Sequence, residues 1–121
     1  MSQKKTILLA DDDVDLLENT SFMIKSMGYD VAMAQDGEEA VVLYKETRPD
    51  LTILDIKMPK LDGYETFYKI KQYDSNAKVI LISAYYIDQE KIDKAISMSL
   101  LETISKPYTF ETLEEVIKRY I

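Results

Sequence analysis

An apolar run that ends in three carboxylates lies near the start of the chain. Its sequence is Thr6-Ile7-Leu8-Leu9-Ala10-Asp11-Asp12-Asp13. A continuously apolar run of this length is typical of a β-strand covered on both faces in a parallel sheet. Acidic residues that directly follow such a strand lie at its carboxyl end, where ligands bind in open α/β sheets. The segment therefore predicts a two-sided α/β fold with a polar site at one edge of its sheet.

Short apolar runs alternate with longer helical patterns along the rest of the chain. Besides 6–10, strands are predicted at residues 30–34, 51–54, 78–82 and 101–104. Helices are predicted between and after them, with start signals at Asp36, Asp88 and Thr109 and stop signals at Gly28 and Pro49. Five strands alternating with five helices imply right-handed parallel crossovers and a doubly wound α/β sheet.

The composition limits the chemistry that the chain can perform. Its 121 residues fit one domain, taken here as residues 1–121. It contains no Cys and no His, which excludes disulfides and thiolate or imidazole metal sites. Any phosphohistidine chemistry must therefore use a His of a partner. The net charge of −7 argues against nonspecific nucleic-acid binding by this segment and suits the binding of a hard cation.

The sequence gives no sign of a membrane partner. The segment 1–5 lacks the apolar run of a signal peptide, and no stretch approaches the length of a membrane span. We therefore expect a cytoplasmic location.

Polar side chains follow the other central strands as well. Asp55 follows the third strand, Ser83 the fourth and Lys106 the fifth. Because the carboxyl ends of parallel strands meet at one edge of the sheet, these side chains should converge with Asp11 and Asp12. Carboxylates without His or Cys select a hard ion, Mg²⁺ with Mn²⁺ as the alternative. An aspartate beside such an ion is a plausible nucleophile toward phosphorus, and a lysine and a hydroxyl can contact phosphoryl oxygens.

Five motifs in the correct order resemble the receiver domain of response regulators in two-component signalling. They are Ile7-Leu8-Leu9-Ala10-Asp11-Asp12-Asp13, Leu54-Asp55-Ile56-Lys57-Met58-Pro59, Leu61-Asp62-Gly63, Leu81-Ile82-Ser83-Ala84 and Ser105-Lys106-Pro107. The resemblance covers essentially the whole chain. It implies a flavodoxin-like (βα)5 fold with a five-stranded parallel sheet in the order 2-1-3-4-5.

The resemblance also assigns a metal site. It implies that Asp12 and Asp55 ligate Mg²⁺ directly, with the Lys57 backbone carbonyl as a third protein ligand. Asp11 would act mainly through a metal-bound water.

The same resemblance implies phosphorylation as the chemistry. Asp55 would accept a phosphoryl group from a phosphohistidine of a sensor histidine kinase or a histidine phosphotransfer protein. Ser83 and Lys106 would contact that group, and the region of Ser83 and Ala84 would close over it. The chain would not be an enzyme beyond catalysing its own phosphorylation and dephosphorylation. The Lys106–Pro107 peptide bond is often cis in the family.

Two positions differ from the usual receiver pattern. Thr103 stands where most receivers carry the Tyr or Phe that changes rotamer on phosphorylation, so the usual conformational signal is not expected in its ordinary form. Tyr85, two residues after Ser83, is expected to shield the phosphoryl group from water and slow its loss. Lys57, two residues after Asp55, could act similarly.

Other functions fit parts of the pattern. A flavodoxin shares the fold, but three aspartates after the first strand would repel a flavin phosphate. A phosphohydrolase of the haloacid dehalogenase type would need a second acid two residues after Asp55, where this chain has Lys57. A receiver-like module that acts only through protein interactions also stays open. The sequence names neither kinase nor output partner, and dimerisation through helix 4, strand 5 and helix 5 is known in the family but does not follow from these residues.

Overall fold

The computed structural model of the protein describes residues 4–84 and 87–121. Within these residues, five parallel strands form one sheet in the order β2-β1-β3-β4-β5, with five helices on its two faces. The strands are β1 (Thr6–Ala10), β2 (Asp30–Ala34), β3 (Leu51–Asp55), β4 (Val79–Ser83) and β5 (Glu102–Ser105). The helices are α1 (Val14–Ser26), α2 (Gly37–Thr47), α3 (Gly63–Tyr73), α4 (Gln89–Ser97) and α5 (Phe110–Tyr120). The predicted fold class and strand order are confirmed.

Two strands begin and end one residue later than predicted. β4 ends at Ser83 and β5 ends at Ser105, and these two residues face each other in the ladder. The Lys106 N–H then donates to the Ser83 carbonyl at 2.8 Å and continues the pairing one step further. These polar residues belong to the strands because a neighbouring backbone pairs with them, which the apolar pattern of one segment does not reveal.

The sheet separates two hydrophobic cores. Alternate strand residues point to opposite faces, so Leu8, Leu54 and Leu81 pack with helices α2, α3 and α4, in what is called here the α2/α3/α4 core. Ile7 and Ile53 point the other way and pack with helices α1 and α5, in the α1/α5 core. Strands β1, β3 and β4 are therefore buried on both faces, as their continuous apolar runs predict.

An oxygen-bearing side chain caps the start of every helix in the described part of the chain. Each cap accepts a hydrogen bond from the backbone N–H three residues later, and the caps are Asp13, Asp36, Asp62, Asp88 and Thr109. Such caps pair amide groups that have no partner within the helix. Because β1 ends at Ala10 and α1 begins at Val14, only Asp11, Asp12 and Asp13 connect them. None of the helices in residues 4–84 and 87–121 combines the length and apolar character needed to cross a bilayer.

Candidate functional site

Three carboxylates meet at the carboxyl edge of the sheet. β1 and β3 are neighbours, so Asp11 and Asp55 lie side by side at the ends of these strands. Carboxylate oxygens of Asp11, Asp12 and Asp55 all lie within 4.8 Å of one another. Asp11 and Asp55 are buried, whereas Asp12 is exposed. Asp11 is also fixed in orientation, because its Oδ1 accepts a hydrogen bond from the backbone N–H of Asp13 at 2.9 Å.

An ammonium group bridges the two buried carboxylates. Lys106 Nζ lies 3.0 Å from Asp55 Oδ2 and 3.2 Å from Asp11 Oδ2. The backbone of Lys106 is held to Ser83 by the hydrogen bond that continues the β4–β5 ladder. The Lys106–Pro107 peptide bond is cis, as the sequence resemblance suggests. The sequence prediction that Asp11, Asp55 and Lys106 converge is confirmed in the geometry of these residues.

Burial and like charge make the Asp55 carboxylate unusually basic. Desolvation raises the pKa of Asp55 from 3.8 to about 6, with Asp11 adding to the rise and the hydrogen bond from Lys106 opposing it. For Lys106, burial lowers the pKa, but the hydrogen bond to Asp55 and the charges of Asp55 and Asp11 outweigh it and hold the pKa above its ordinary value. The ammonium therefore stays charged, while the carboxylates carry more negative charge than it balances.

The arrangement fits a hard divalent cation. All three converging ligand groups are carboxylates, and their spacing allows one ion to contact more than one of them. The exposed position of Asp12 leaves one side open, and Mg²⁺ sites commonly keep several waters there. A second positive charge would also balance the excess of negative charge around Asp55. These residues thus suit Mg²⁺ in both ligand chemistry and charge.

The other predicted site residues occupy different surroundings. Ser83 is buried at the end of β4, the strand beside β3, while Ala84 is exposed directly after it. Lys57 is exposed in the loop after β3. Thr103 is half-buried in β5, where it pairs with Leu81 in register. Tyr85 lies outside the described residues.

The family model for the response regulator receiver domain matches residues 7–118. The chain belongs to the response regulator receiver domain family. This receiver is therefore a module of two-component signalling, and proteins of its family interact with histidine kinases or phosphotransferases. Mg²⁺ binding and phosphorylation are typical of them, and the family is not one of conventional enzymes.

Known receivers resemble this one in both sequence and structure. A probable C4-dicarboxylate response regulator from Bacillus subtilis is 35% identical over 117 residues, which are 96% of this chain and 51% of the relative. A CheY-like receiver domain from Methanospirillum hungatei has a TM-score of 0.90 at 27% identity and covers 97% of this chain and 93% of its own. A CheX–CheY complex with BeF3 and Mg²⁺ from Borrelia burgdorferi has a TM-score of 0.85 at 32% identity, covering 97% and 90%. The chain spans about half the length of the first curated relatives that it matches.

Two features of this receiver's site were missed by sequence reasoning. The Tyr108 hydroxyl shares a 2.7 Å hydrogen bond with the Thr20 hydroxyl of α1, although the sequence suggested no role for either residue. Gly63 packs against the backbone of Asp55, although the Asp62-Gly63 pair reads as an ordinary turn. A glycine placed soon after a strand-end aspartate was the one available sign of such a close approach.

Proposed function

We propose that this receiver accepts a phosphoryl group on Asp55 in a Mg²⁺-dependent reaction. The donor is the phosphohistidine of a sensor histidine kinase or a histidine phosphotransfer protein, since the chain has no His of its own. The observation that carries the proposal is the placement of Lys106 Nζ 3.0 Å from Asp55, within a cluster that also contains Asp11 and Asp12. One nucleophile, one fixed cation and a set of metal ligands are the parts that phosphoryl transfer requires.

In the proposed reaction, an Asp55 carboxylate oxygen attacks phosphorus. A new O–P bond forms as the P–N bond to the donor imidazole breaks, and the departing imidazole takes up a proton from solvent. Asp55, Asp12 and the Lys57 carbonyl would hold Mg²⁺ directly and Asp11 through water, and the ion would supply charge neutralisation for the phosphoryl oxygens. Lys106 faces Asp55 and would bind one of the transferring oxygens through its ammonium group.

Phosphorylation would be signalled from the same edge of the sheet. Ser83 ends the strand next to Asp55, so its hydroxyl can donate to a phosphoryl oxygen if the segment of Ser83 and Ala84 moves toward it. Most receivers have an aromatic ring at the position of Thr103, and that ring changes rotamer when Ser83 and Ala84 move. Thr103 has no ring, so this receiver would signal phosphorylation through another conformational change. Tyr85 would limit the access of water to the phosphoryl group. The receiver would catalyse its own phosphorylation and dephosphorylation only, within a domain that extends over 1–121.

The output of this receiver depends on surfaces away from the site. Dimerisation through α4, β5 and α5 is one such output. On this face Arg119 Nη1 lies 2.7 Å from Glu102 Oε1, and the Tyr120 hydroxyl donates to the same carboxylate. The ion pair and the hydrogen bond at Glu102 are formed within one chain. A homodimer would therefore either leave these interactions in place or replace them with the same interactions between two chains.

Intact mass after incubation with acetyl phosphate and Mg²⁺ tests the proposed reaction. We expect one phosphoryl addition to the wild-type chain and its suppression by a chelator. Asp55→Asn should abolish the addition, whereas the control Asp30→Asn, at the exposed start of β2, should leave it intact. An unlabelled wild type, or a label that survives in Asp55→Asn, would overturn the proposal.

A further inference from the structure

The loop that carries Lys106 receives support from the sheet on one side only. β5 is an edge strand that pairs with β4 alone in the described structure, and the last of its backbone contacts is the hydrogen bond from Lys106 to Ser83. A surface cavity of about 370 Å³ lies beside this loop. Among the described residues, it is lined by Leu16, Met23, Ala84, Lys106, Pro107 and Tyr108. Close packing therefore holds this part of the loop on one side only, because the Tyr108 ring lies against the α1/α5 core while the other side borders the cavity.

Within residues 4–84 and 87–121, one polar contact joins the loop to α1 on the opposite wall of the cavity. The Tyr108 hydroxyl and the Thr20 hydroxyl are 2.7 Å apart, although the two residues are 88 positions apart in the sequence. Thr20 is 1% exposed, so its hydroxyl depends on Tyr108 rather than on bulk water for a partner. Burial raises the pKa of the Tyr108 hydroxyl, so this group stays a neutral hydroxyl.

The contact closes a ring of interactions around the site. From Asp11, the chain passes through the Asp13 cap into α1 and reaches Thr20. The hydrogen bond between the two hydroxyls connects Thr20 to Tyr108, which is two residues from Lys106. The Lys106 ammonium then completes the ring, because it donates to Asp11 Oδ2 at 3.2 Å. Without the hydrogen bond between the two hydroxyls, the loop would be held by β4, by the apolar packing of the Tyr108 ring and by the charged Lys106 side chain that the reaction itself uses.

We propose that the hydroxyls of Thr20 and Tyr108 are positioning groups for Lys106, and that their hydrogen bond keeps the ammonium aligned with Asp55 for phosphoryl transfer. Neither hydroxyl touches the transferring group; both act through the placement of Lys106. The inference rests on the proposed phosphorylation of Asp55. Small displacements of a catalytic cation lower the rate of a reaction without abolishing it.

Four variants separate positioning from stability. Tyr108→Phe leaves the buried Thr20 hydroxyl without a partner, and Thr20→Val removes the partner of Tyr108, so both should destabilise the fold. The double variant Thr20→Val/Tyr108→Phe places two apolar groups face to face and should recover most of the stability. Thr20→Ser keeps the hydroxyl and should keep the bond. Tyr44→Phe is the matched control, because it removes a 2.8 Å hydrogen bond to Asp74 at the other end of the molecule.

The decisive measurement is the rate of phosphorylation by acetyl phosphate at saturating Mg²⁺, set beside the urea unfolding midpoint. We expect the rate to fall about threefold to tenfold in Tyr108→Phe, in Thr20→Val and in the double variant, because a displaced ammonium stabilises the transferring oxygens less well. Thr20→Ser and Tyr44→Phe should react at close to the wild-type rate. Wild-type rates in the single variants, or a rate that recovers together with stability in the double variant, would overturn the inference.

A second readout does not depend on phosphorylation. In the metal-free protein, the ¹³C and ¹H resonances of the Lys106 side chain beside the metal site should shift in Tyr108→Phe and in the double variant, and stay in place in Thr20→Ser. A wild-type protein that acetyl phosphate does not phosphorylate would overturn the proposed function. The Lys106 resonances would still test whether the hydrogen bond between Thr20 and Tyr108 positions the ammonium group. Unchanged Lys106 resonances in the double variant would contradict it.

Discussion

The Asp55 carboxylate is held in a setting that favours either a proton or an added cation. It is 4% exposed, and it shares the Lys106 ammonium with Asp11. Two buried carboxylates beside one ammonium leave a net negative charge, and Asp12 adds to it. The raised pKa of Asp55 is the direct result of burial and of this charge balance. A divalent ion held by these carboxylates would favour the charged form of Asp55, which the proposed reaction needs.

Asp55→Asn should therefore stabilise the metal-free protein at neutral pH. The pKa of Asp55 is about 6 in the folded state and near 3.8 in the unfolded chain, so the folded state binds the proton more tightly. Stability is then lost as the pH rises from about 3.8 through about 6, and the wild type carries the full penalty at pH 7.5. We expect the variant to be more stable by about 1–3 kcal/mol at pH 7.5 and by about half of that at pH 5. Urea unfolding in the presence of a chelator measures both values.

The control for this prediction is Asp30→Asn, which removes an exposed carboxylate away from the site. Its stability should follow that of the wild type at both pH values, because surface substitutions of this kind change little. An Asp55→Asn variant that is less stable than the wild type at pH 7.5 would contradict the charge balance described above.

At the residue level, the sequence predicted the charged groups and missed the hydroxyl pair. Asp11, Asp55 and Lys106 were predictable because each follows a strand, and topology alone then places them at one edge of the sheet. Thr20 and Tyr108 meet because α1 is rotated so that Thr20 faces the loop after β5. That rotation depends on how α1 packs into the α1/α5 core, and no local pattern specifies it.

At the level of elements, helix starts were predicted more closely than strand ends. Asp36, Asp88 and Thr109 cap α2, α4 and α5, as expected from their chemistry. The third helix, predicted over residues 64–73, begins one residue earlier, at Gly63. A cap acts within one turn of its own helix, so the local sequence identifies it. The end of a strand depends on a neighbour that is distant in the sequence.

The start of α3 is pressed against the strand that carries Asp55. A Cβ atom on Gly63 would lie 2.6 Å from the Asp55 carbonyl oxygen and 2.6 Å from Ile56 Cα. The Gly63 N–H also donates to the Ile56 carbonyl at 2.7 Å, so the helix cannot shift without loss of that bond. Because both obstacles are backbone atoms, Gly63→Ala should lower the free energy of unfolding by about 1–3 kcal/mol, measured by urea unfolding.

Glu65→Ala is the matched control for that change, since it adds no atoms and lies on the exposed side of the same first turn. It should leave the unfolding free energy within about 0.5 kcal/mol of the wild type. A Gly63→Ala protein of wild-type stability would show that α3 can move away from β3 at little cost.

At the level of the whole molecule, the proposed Mg²⁺ site links binding to folding. An ion that binds the folded chain at 100 times its dissociation constant adds about 2.7 kcal/mol of stability. Asp12 is exposed, so Asp12→Asn should leave the metal-free stability nearly unchanged. The same substitution should remove most of the rise in unfolding temperature that Mg²⁺ produces in the wild type. Thermal unfolding with and without Mg²⁺ measures the difference, and an equal rise in both proteins would contradict the assignment of Asp12.

The division of the interior by the sheet has a consequence for how this protein can change. The α1/α5 core supports Tyr108 and the loop of Lys106, whereas the α2/α3/α4 core supports α3 and its contact with Asp55. Because the two cores lie on opposite faces of the sheet, substitutions in one should add to those in the other with little coupling. Evolution can thus change the helices on one face of the sheet, together with the surfaces that they expose. The helices on the opposite face, and the site residues that they support, then keep their positions.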